Sequence, residues 1–192
     1  MLDLGLELDV GAVRRVLARV LDEARTARVD FRVVGTAAAQ LQGVELDAGD
    51  IDLLFRDRED LDAFAAAVAQ LPLRRGPLYI AESRQYFAEL ALDGVSVELS
   101  TVEWEGGSDA GECVGEGPWL HYRSVRCGRH DVPVVALELR LATEILRRRE
   151  DRSAALIAHL REHGDRDLLN RALDAAGMAP GDRLATLAAV AS

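Results

Sequence analysis

Six consecutive residues constrain this chain more than any others: Asp50-Ile51-Asp52-Leu53-Leu54-Phe55. Side chains alternate across a β-strand, so extended backbone would present Asp50 and Asp52 on one face and Ile51 and Leu53 on the other. Acids lie poorly in strands, yet these two run straight into Leu53, Leu54 and Phe55, the pattern of a strand covered on both faces. The segment is therefore expected to be a central strand with two carboxylates at its entry, close enough together to ligate one hard cation. Two carboxylates solvating an exposed edge strand are the alternative.

The flanking sequence supplies elements on either side. Asp9 can cap a helix from Val10 to Ala27, in which Val13, Val16, Leu17, Val20 and Leu21 recur at helical spacing. Phe31 to Val34 reads as a short buried strand broken by Gly35, and the Ala-rich Thr36 to Gln42 as a short helix that Gly43 can end. A glycine at that strand-to-helix turn allows close backbone approach to a ligand, the amides of the first helical turn attract anions, and Thr36 adds a hydroxyl. Glycine used purely for turn geometry is the plainer reading. Asp57 can cap a helix from Arg58 to Leu71, which Pro72 stops. Tyr86 to Leu92 and Val95 to Val102 are joined by Asp93-Gly94, a two-residue hairpin signal. On the second of these strands Ser96, Glu98 and Ser100 share a polar face, so Glu98 becomes a third carboxylate of the site if that strand lies beside Asp50 to Phe55. Otherwise it is a surface glutamate on a half-exposed sheet.

Residues 103 to 117 hold five glycines, five acids and no base, as expected of a loop or flap. From Leu137 the pattern turns helical: Leu137 to Arg149, Asp151 to His163, Asp165 to Ala176, and Pro180 onward. The spacing predicts an α/β (α+β) fold, a mixed twisted sheet backed by helices over residues 1–135, with a helical bundle over 136–192 packed on it.

Charge and composition narrow the chemistry. All 23 basic side chains are Arg, which excludes a Schiff-base lysine and the lysine of a phosphate-binding P-loop. A net charge of −10 and a pI near 4.9 disfavour duplex nucleic acid, whose binding draws on Lys and Arg displacing counterions. The longest apolar run, Ala63 to Ala69, is far too short to span a bilayer, and Met1 to Val10 carries acids without a basic cluster; neither membrane insertion nor secretion is expected. Two isolated cysteines, Cys113 and Cys127, form neither a disulfide framework nor a metal quartet, so a reducing cytoplasm is the expected setting. His159 and His163 stand four apart on a helix, as a metal pair or as an exposed face. The Arg147-Arg148-Arg149 run reads as a helix end opposing the dipole.

Taken together, Gly35-Thr36, Asp50-Ile51-Asp52 and Glu98 resemble the signature of the polymerase β type nucleotidyltransferase superfamily: a Gly-Ser or Gly-Gly turn, an Asp-x-Asp or Asp-x-Glu strand, and a third acid on a later strand. The likeness is closest to small bacterial members related to aminoglycoside and lincosamide nucleotidyltransferases and to nucleotidyltransferase-like toxins. Their Val-Pro-Val segment and following helix are matched by Val132-Pro133-Val134-Val135 and Leu137 to Arg149, and the likeness covers about residues 31 to 165. Three positions depart from it. Thr36 stands where Ser or Gly is usual, Leu46-Asp47-Ala48-Gly49 where basic and hydroxyl residues are usual, and Glu144 where a lysine is common. Arg56 and Arg84 are candidates for the missing charge, each equally well explained as a solvated strand-end or loop arginine.

The resemblance implies a nucleotidyltransferase fold and transfer of a nucleoside monophosphate from a nucleoside triphosphate to a hydroxyl of a small molecule or protein. Asp50, Asp52 and Glu98 would be the catalytic and metal-binding residues, with Mg²⁺ or Mn²⁺ as cofactor, and Gly35 and Thr36 would cradle the phosphates. Glu103, Glu105, Asp109, Glu112 and Glu116 suit either a pocket for a cationic acceptor or a solvated loop. The alternative function is a non-catalytic nucleotide-binding or interaction protein of the same fold, such as one component of a toxin–antitoxin pair.

Overall fold

The computed structural model describes residues 7–103 and 109–192. Helix α1 (Val10–Glu23) precedes strand β1 (Phe31–Val34), helix α2 (Gly35–Leu41), strand β2 (Asp50–Phe55) and helix α3 (Arg58–Ala67). Strands β3 (Leu73–Ile80), β4 (Gln85–Leu92) and β5 (Val95–Val102) follow. After a 3-10 turn at Gly111–Cys113 come helix α4 (Gly117–Leu120), strands β6 (Tyr122–Cys127) and β7 (His130–Val135), and helices α5 (Leu137–Leu146), α6 (Glu150–His163), α7 (Arg166–Ala175) and α8 (Pro180–Ala191).

The strands form one mixed seven-stranded sheet in the order β3-β4-β5-β2-β1-β7-β6, with β2 in the middle. Aspartates cap the helices that enter and leave it: Asp9 accepts from the Ala12 amide at 2.7 Å and Asp57 from that of Asp60 at 2.9 Å, each satisfying a donor that the first helical turn leaves without a partner. Asp93 and Gly94 both have positive φ, 53° and 82°, the geometry of a type I′ turn whose twist matches the strands it joins.

One apolar core lies between the sheet and helices α1 and α3. It includes Val13, Leu17 and Val20 from α1, Leu61 and Phe64 from α3, and Ile51, Leu53, Val97 and Leu99 from the sheet. Phe31, Phe55 and Phe64 form an aromatic triangle there, with ring centroids 5.1 to 6.2 Å apart. A second core joins α5 to α8 through Leu141, Leu156, Leu160, Leu169, Leu173 and Val190, and it also takes in Ala39 of α2 and Val44. That shared packing holds the helical part against α2 and brings the junction of α5 and α6 beside the entry of β2.

Buried Arg32 ties the α4 region to the sheet. Its guanidinium pairs with Asp30, donates to the carbonyls of Pro118 at 2.9 Å and Trp119 at 3.2 Å, and stacks on the Tyr122 ring at 4.1 Å.

Helix α3 stops at Ala67, short of Leu71, with Val68 as its cap. The helix expected from Leu137 to Arg149 ends at Leu146, and Arg148 takes φ 54°, so the arginine run becomes the turn into α6. The segment 103–117, expected to be a loop, contains the Gly111–Cys113 turn and the start of α4. Among the described residues no helix is long and apolar enough to cross a membrane.

Candidate active site

Strand β5 runs parallel beside β2 in a register that sets Asp50 opposite Ser96 and Asp52 opposite Glu98. The acid face of each strand thus points the same way, and Glu98 joins the aspartates. One carboxylate oxygen from each of Asp50, Asp52 and Glu98 lies within 4.8 Å of the others. Among the described residues this is the one group of three or more His, Cys, Asp or Glu with such spacing.

Their protonation reflects crowding. Burial raises the Asp52 pKa well above the ordinary range, and the charges of Asp50, Glu98 and Glu112 push it in the same direction. Glu98 is raised as well, first by burial and then by Asp50 and Glu89. Like charges gathered in a poorly solvated place disfavour the ionised forms unless a cation joins them. Three hard oxygen donors, with no sulfur or imidazole among them, fit Mg²⁺ or Mn²⁺ better than a softer ion.

Gly35 is needed twice over at the end of β1. Its φ of +73° is one that L side chains rarely adopt, and a Cβ there would collide with the Asp52 Oδ2 oxygen. The residue before it, Val34, is paired with Asp52 across β1 and β2. The glycine turn and the acidic strand are therefore a single packed unit. Both groups expected to cradle phosphate already have partners within the chain. The Gly35 amide donates to Glu112 Oε1 at 3.3 Å, and Thr36 Oγ1 accepts from Arg152 Nη1 at 2.8 Å.

These residues open onto a cavity of about 340 Å³. Asp50, Asp52, Gly35 and Thr36 form one side of it. The other side is cationic, with Arg140 from α5, Arg147 and Arg149 from the turn into α6 and Arg152 from the first turn of α6. Neither Arg56 nor Arg84 is among the lining residues. Arg56 instead pairs with Glu116 at 3.2 Å and stacks on Trp119 at 4.7 Å.

Glu144 does not face this cavity as an opposing charge. It is 1% exposed, its Oε1 bonds Arg140, and Arg149 and Arg152 approach it at 3.8 and 3.9 Å. Arg140 in turn bonds Glu112. Burial alone would lower the Arg140 pKa, but the charges of Glu112 and Glu144 hold it above its usual value. The acid where a lysine was expected thus anchors three arginines from beneath. Nothing in the Arg147-Arg148-Arg149 run distinguishes this arrangement from a solvated helix end. The signal that could have found it is a break between two helices at Arg148, which places Arg149 and Arg152 on the first turn of the second.

The acidic loop residues are also paired within the chain. Glu103 bonds Arg58 at 2.6 Å, Asp109 bonds Arg147 at 3.2 Å, Glu112 bonds Arg140 and Glu116 bonds Arg56. Glu105 lies outside the described residues. His159 and His163 pack edge to face with ring centroids 4.8 Å apart.

No family model matches the chain, and no curated protein matches it. Among solved structures, it is similar to that of a protein from Thermotoga maritima described as a "putative nucleotidyltransferase", with a TM-score of 0.58. The two are 22% identical over an alignment covering 82% of this chain and 98% of the other. The two chains share a fold. Its mixed sheet and helices are the α+β architecture expected from the sequence, and nearly the whole of the Thermotoga chain is matched within this one.

Proposed function

We propose that this chain transfers a nucleoside monophosphate from a nucleoside triphosphate to a hydroxyl acceptor, a small molecule or a protein. One observation carries the reading: Asp50 and Asp52, with Glu98 converging on them, share a single cavity with four arginines. That polarity suits a ligand that is itself a metal-complexed polyanion, with the cation against the acids and the phosphate oxygens against the guanidiniums. The description of the Thermotoga protein agrees with it.

Asp50, Asp52 and Glu98 would hold a divalent ion. Bound there, it would supply neutralisation of the charge that develops on the triphosphate. The chain's own groups would do the rest. Arg147, Arg149 and Arg152 would orient the β- and γ-phosphates, with Gly35 and Thr36 beside them. The acceptor oxygen would attack the α-phosphorus, forming the new P–O bond as the bridging bond to the β-phosphate breaks and pyrophosphate leaves. Glu98, beside Asp50 and Asp52, would ligate a second ion or take the acceptor's proton. Residues 1–135 would form the catalytic core, with residues 136–192 contributing the arginine wall.

A second reading, a non-catalytic nucleotide-binding protein of this fold, is favoured by the internal partners of the Gly35 amide and Thr36 hydroxyl. Both readings are tested by incubating the chain with each labelled nucleoside triphosphate, Mg²⁺ and candidate hydroxyl acceptors, itself included. Pyrophosphate released and label transferred in an Asp52-dependent manner support the enzyme. Triphosphate binding without any release supports the second reading, and neither binding nor release rejects both.

A further inference from the structure

Among the described residues Glu112 shares its burial with Glu138 and Glu144, and it alone of the three lines the cavity. It is 2% exposed, it lines the cavity, and it sits in a segment whose other described acids pair at the surface. Its Oε1 accepts from the Gly35 amide and from Arg140, while its Oε2 is buried with no hydrogen-bond partner among the described residues. Its own amide donates to Thr143 Oγ1 at 2.9 Å, which pins the Gly111–Cys113 turn against α5. A buried carboxylate with one oxygen unsatisfied is costly, since ionic groups removed from water need all their partners. What holds it there is the guanidinium of Arg140, a group that would otherwise bind an anionic oxygen of a ligand.

We propose that Glu112 is an internal stand-in for a phosphate group: its carboxylate occupies an anion subsite at Arg140, and polyphosphate enters that subsite as the Gly111–Cys113 turn withdraws. The inference rests on the reading of the cavity as a polyphosphate site and adds to it how the site is kept closed. Two features favour the exchange. The arginines at 147, 149 and 152 continue the cationic surface away from Arg140, so an entering polyanion meets partners before Glu112 leaves. The turn itself is short, begins at Gly111 and is followed by Gly115, and among the described residues Glu112 is tied to the rest of the chain through Thr143, Arg140 and the Gly35 amide. Glu112 is thus a competitor for the ligand and a positioning group for Arg140 in its absence.

The test is calorimetric titration of the full chain with inorganic pyrophosphate and Mg²⁺, comparing wild type, Glu112→Gln and Thr143→Val. Gln keeps the shape and loses the charge that competes for Arg140. Val keeps the carboxylate but removes the acceptor that pins the turn. Glu112→Gln is expected to bind pyrophosphate about tenfold more tightly, equivalent to roughly 1.4 kcal/mol, and Thr143→Val more tightly by a smaller factor. Unchanged or weaker binding in both variants overturns the inference. If Glu112→Gln does not fold, Thr143→Val decides alone, tighter binding supporting the stand-in and unchanged binding rejecting it. Nucleotidyl transfer measured on the same proteins separates the two ideas. Transfer by wild type with pyrophosphate affinity unmoved by either substitution sinks the stand-in and leaves the enzyme. Tighter pyrophosphate binding with transfer in none of the proteins keeps the subsite and sinks the enzyme.

Discussion

The two walls of the cavity are built in opposite ways. On the sheet side, Asp50 and Asp52 line the cavity and Glu98 stands beside them on the adjacent strand, like charges together with no arginine bonded to any of them among the described contacts. On the helix side, every arginine has a carboxylate of the chain nearby: Glu112 and Glu144 for Arg140, Asp109 for Arg147, and Glu144 for Arg149 and Arg152. The acid wall is therefore compatible with a cation from outside, whereas the basic wall carries its own counter-charges and offers a ligand what those leave over. Like charges are held together on the first wall by backbone pairing and on the second by buried glutamates. A substitution should accordingly act differently on each side, through catalysis on one and through binding on the other.

The largest effect is expected on the acid wall. Asp52→Asn should lower nucleotidyl transfer by at least about a hundredfold, as loss of a ligand that stabilises transition-state charge removes several kcal/mol. Circular dichroism should show the fold retained. A variant with more than about a tenth of wild-type turnover would remove the reason for treating the walls as distinct. Next, Arg149→Ala and Arg152→Ala should raise KM for the triphosphate by about ten- to a hundredfold, each losing charge-assisted hydrogen bonds worth roughly 1.5–3 kcal/mol, with kcat changed less. Steady-state kinetics read this directly, and an equal fall in kcat would place these arginines in the transition state rather than in binding.

Gly35→Ala sharpens the comparison on the structural side. The added Cβ meets the Asp52 carboxylate at a φ of +73°, so urea unfolding should show about 1–3 kcal/mol of destabilisation. Activity should fall with it, because the aspartate must move. A substitution without measurable effect on either would separate the glycine turn from the acid wall.

The smallest effect is on pH dependence. Because burial and neighbouring acids raise the Asp52 pKa, the folded chain holds that proton more tightly than the unfolded chain does. Its contribution to stability is therefore most favourable at low pH. It is lost as pH climbs from the ordinary aspartate value of 3.8 through the raised folded value, then stays level. Metal-free wild type should lose stability relative to Asp52→Asn across that window, as measured by urea midpoints at successive pH values. Adding Mg²⁺ at neutral pH should restore wild type and leave the variant unmoved. No equivalent shift is expected for Arg149→Ala, and finding one would blur the distinction between the walls.

Local pattern carried much of this into the sequence. The strands β1, β2 and β5, the Asp93-Gly94 turn and the starts of α1, α3, α5 and α8 follow from alternation, helical spacing and capping residues that act within a few positions of themselves. The strands that escaped are β3 and β6, the two edges of the sheet, and β7 beside β6. An edge strand need not bury alternate side chains, so Leu73 to Ile80, mostly exposed and interrupted by Gly76-Pro77, shows no period.

The acid wall was legible because period-two alternation in β2 and β5 fixes which side chains share a face, and the parallel pairing of the two strands then brought Glu98 to Asp52. No such rule governs the basic wall. Arg147, Arg149 and Arg152 come together with Arg140 because α5 ends at Leu146 and α6 begins at Glu150, and because packing of both helices on α2 aims that junction at β2. Glu112 reaches the same place across 77 residues of chain from Gly35. The sequence alone determined that Asp50 and Asp52 would share a face, since that depends on the geometry of a single strand, whereas Glu98 joined them only through the pairing of β5 with β2. The tertiary structure decided what opposes these acids, since that depends on contacts between residues distant in sequence, which no local periodicity encodes.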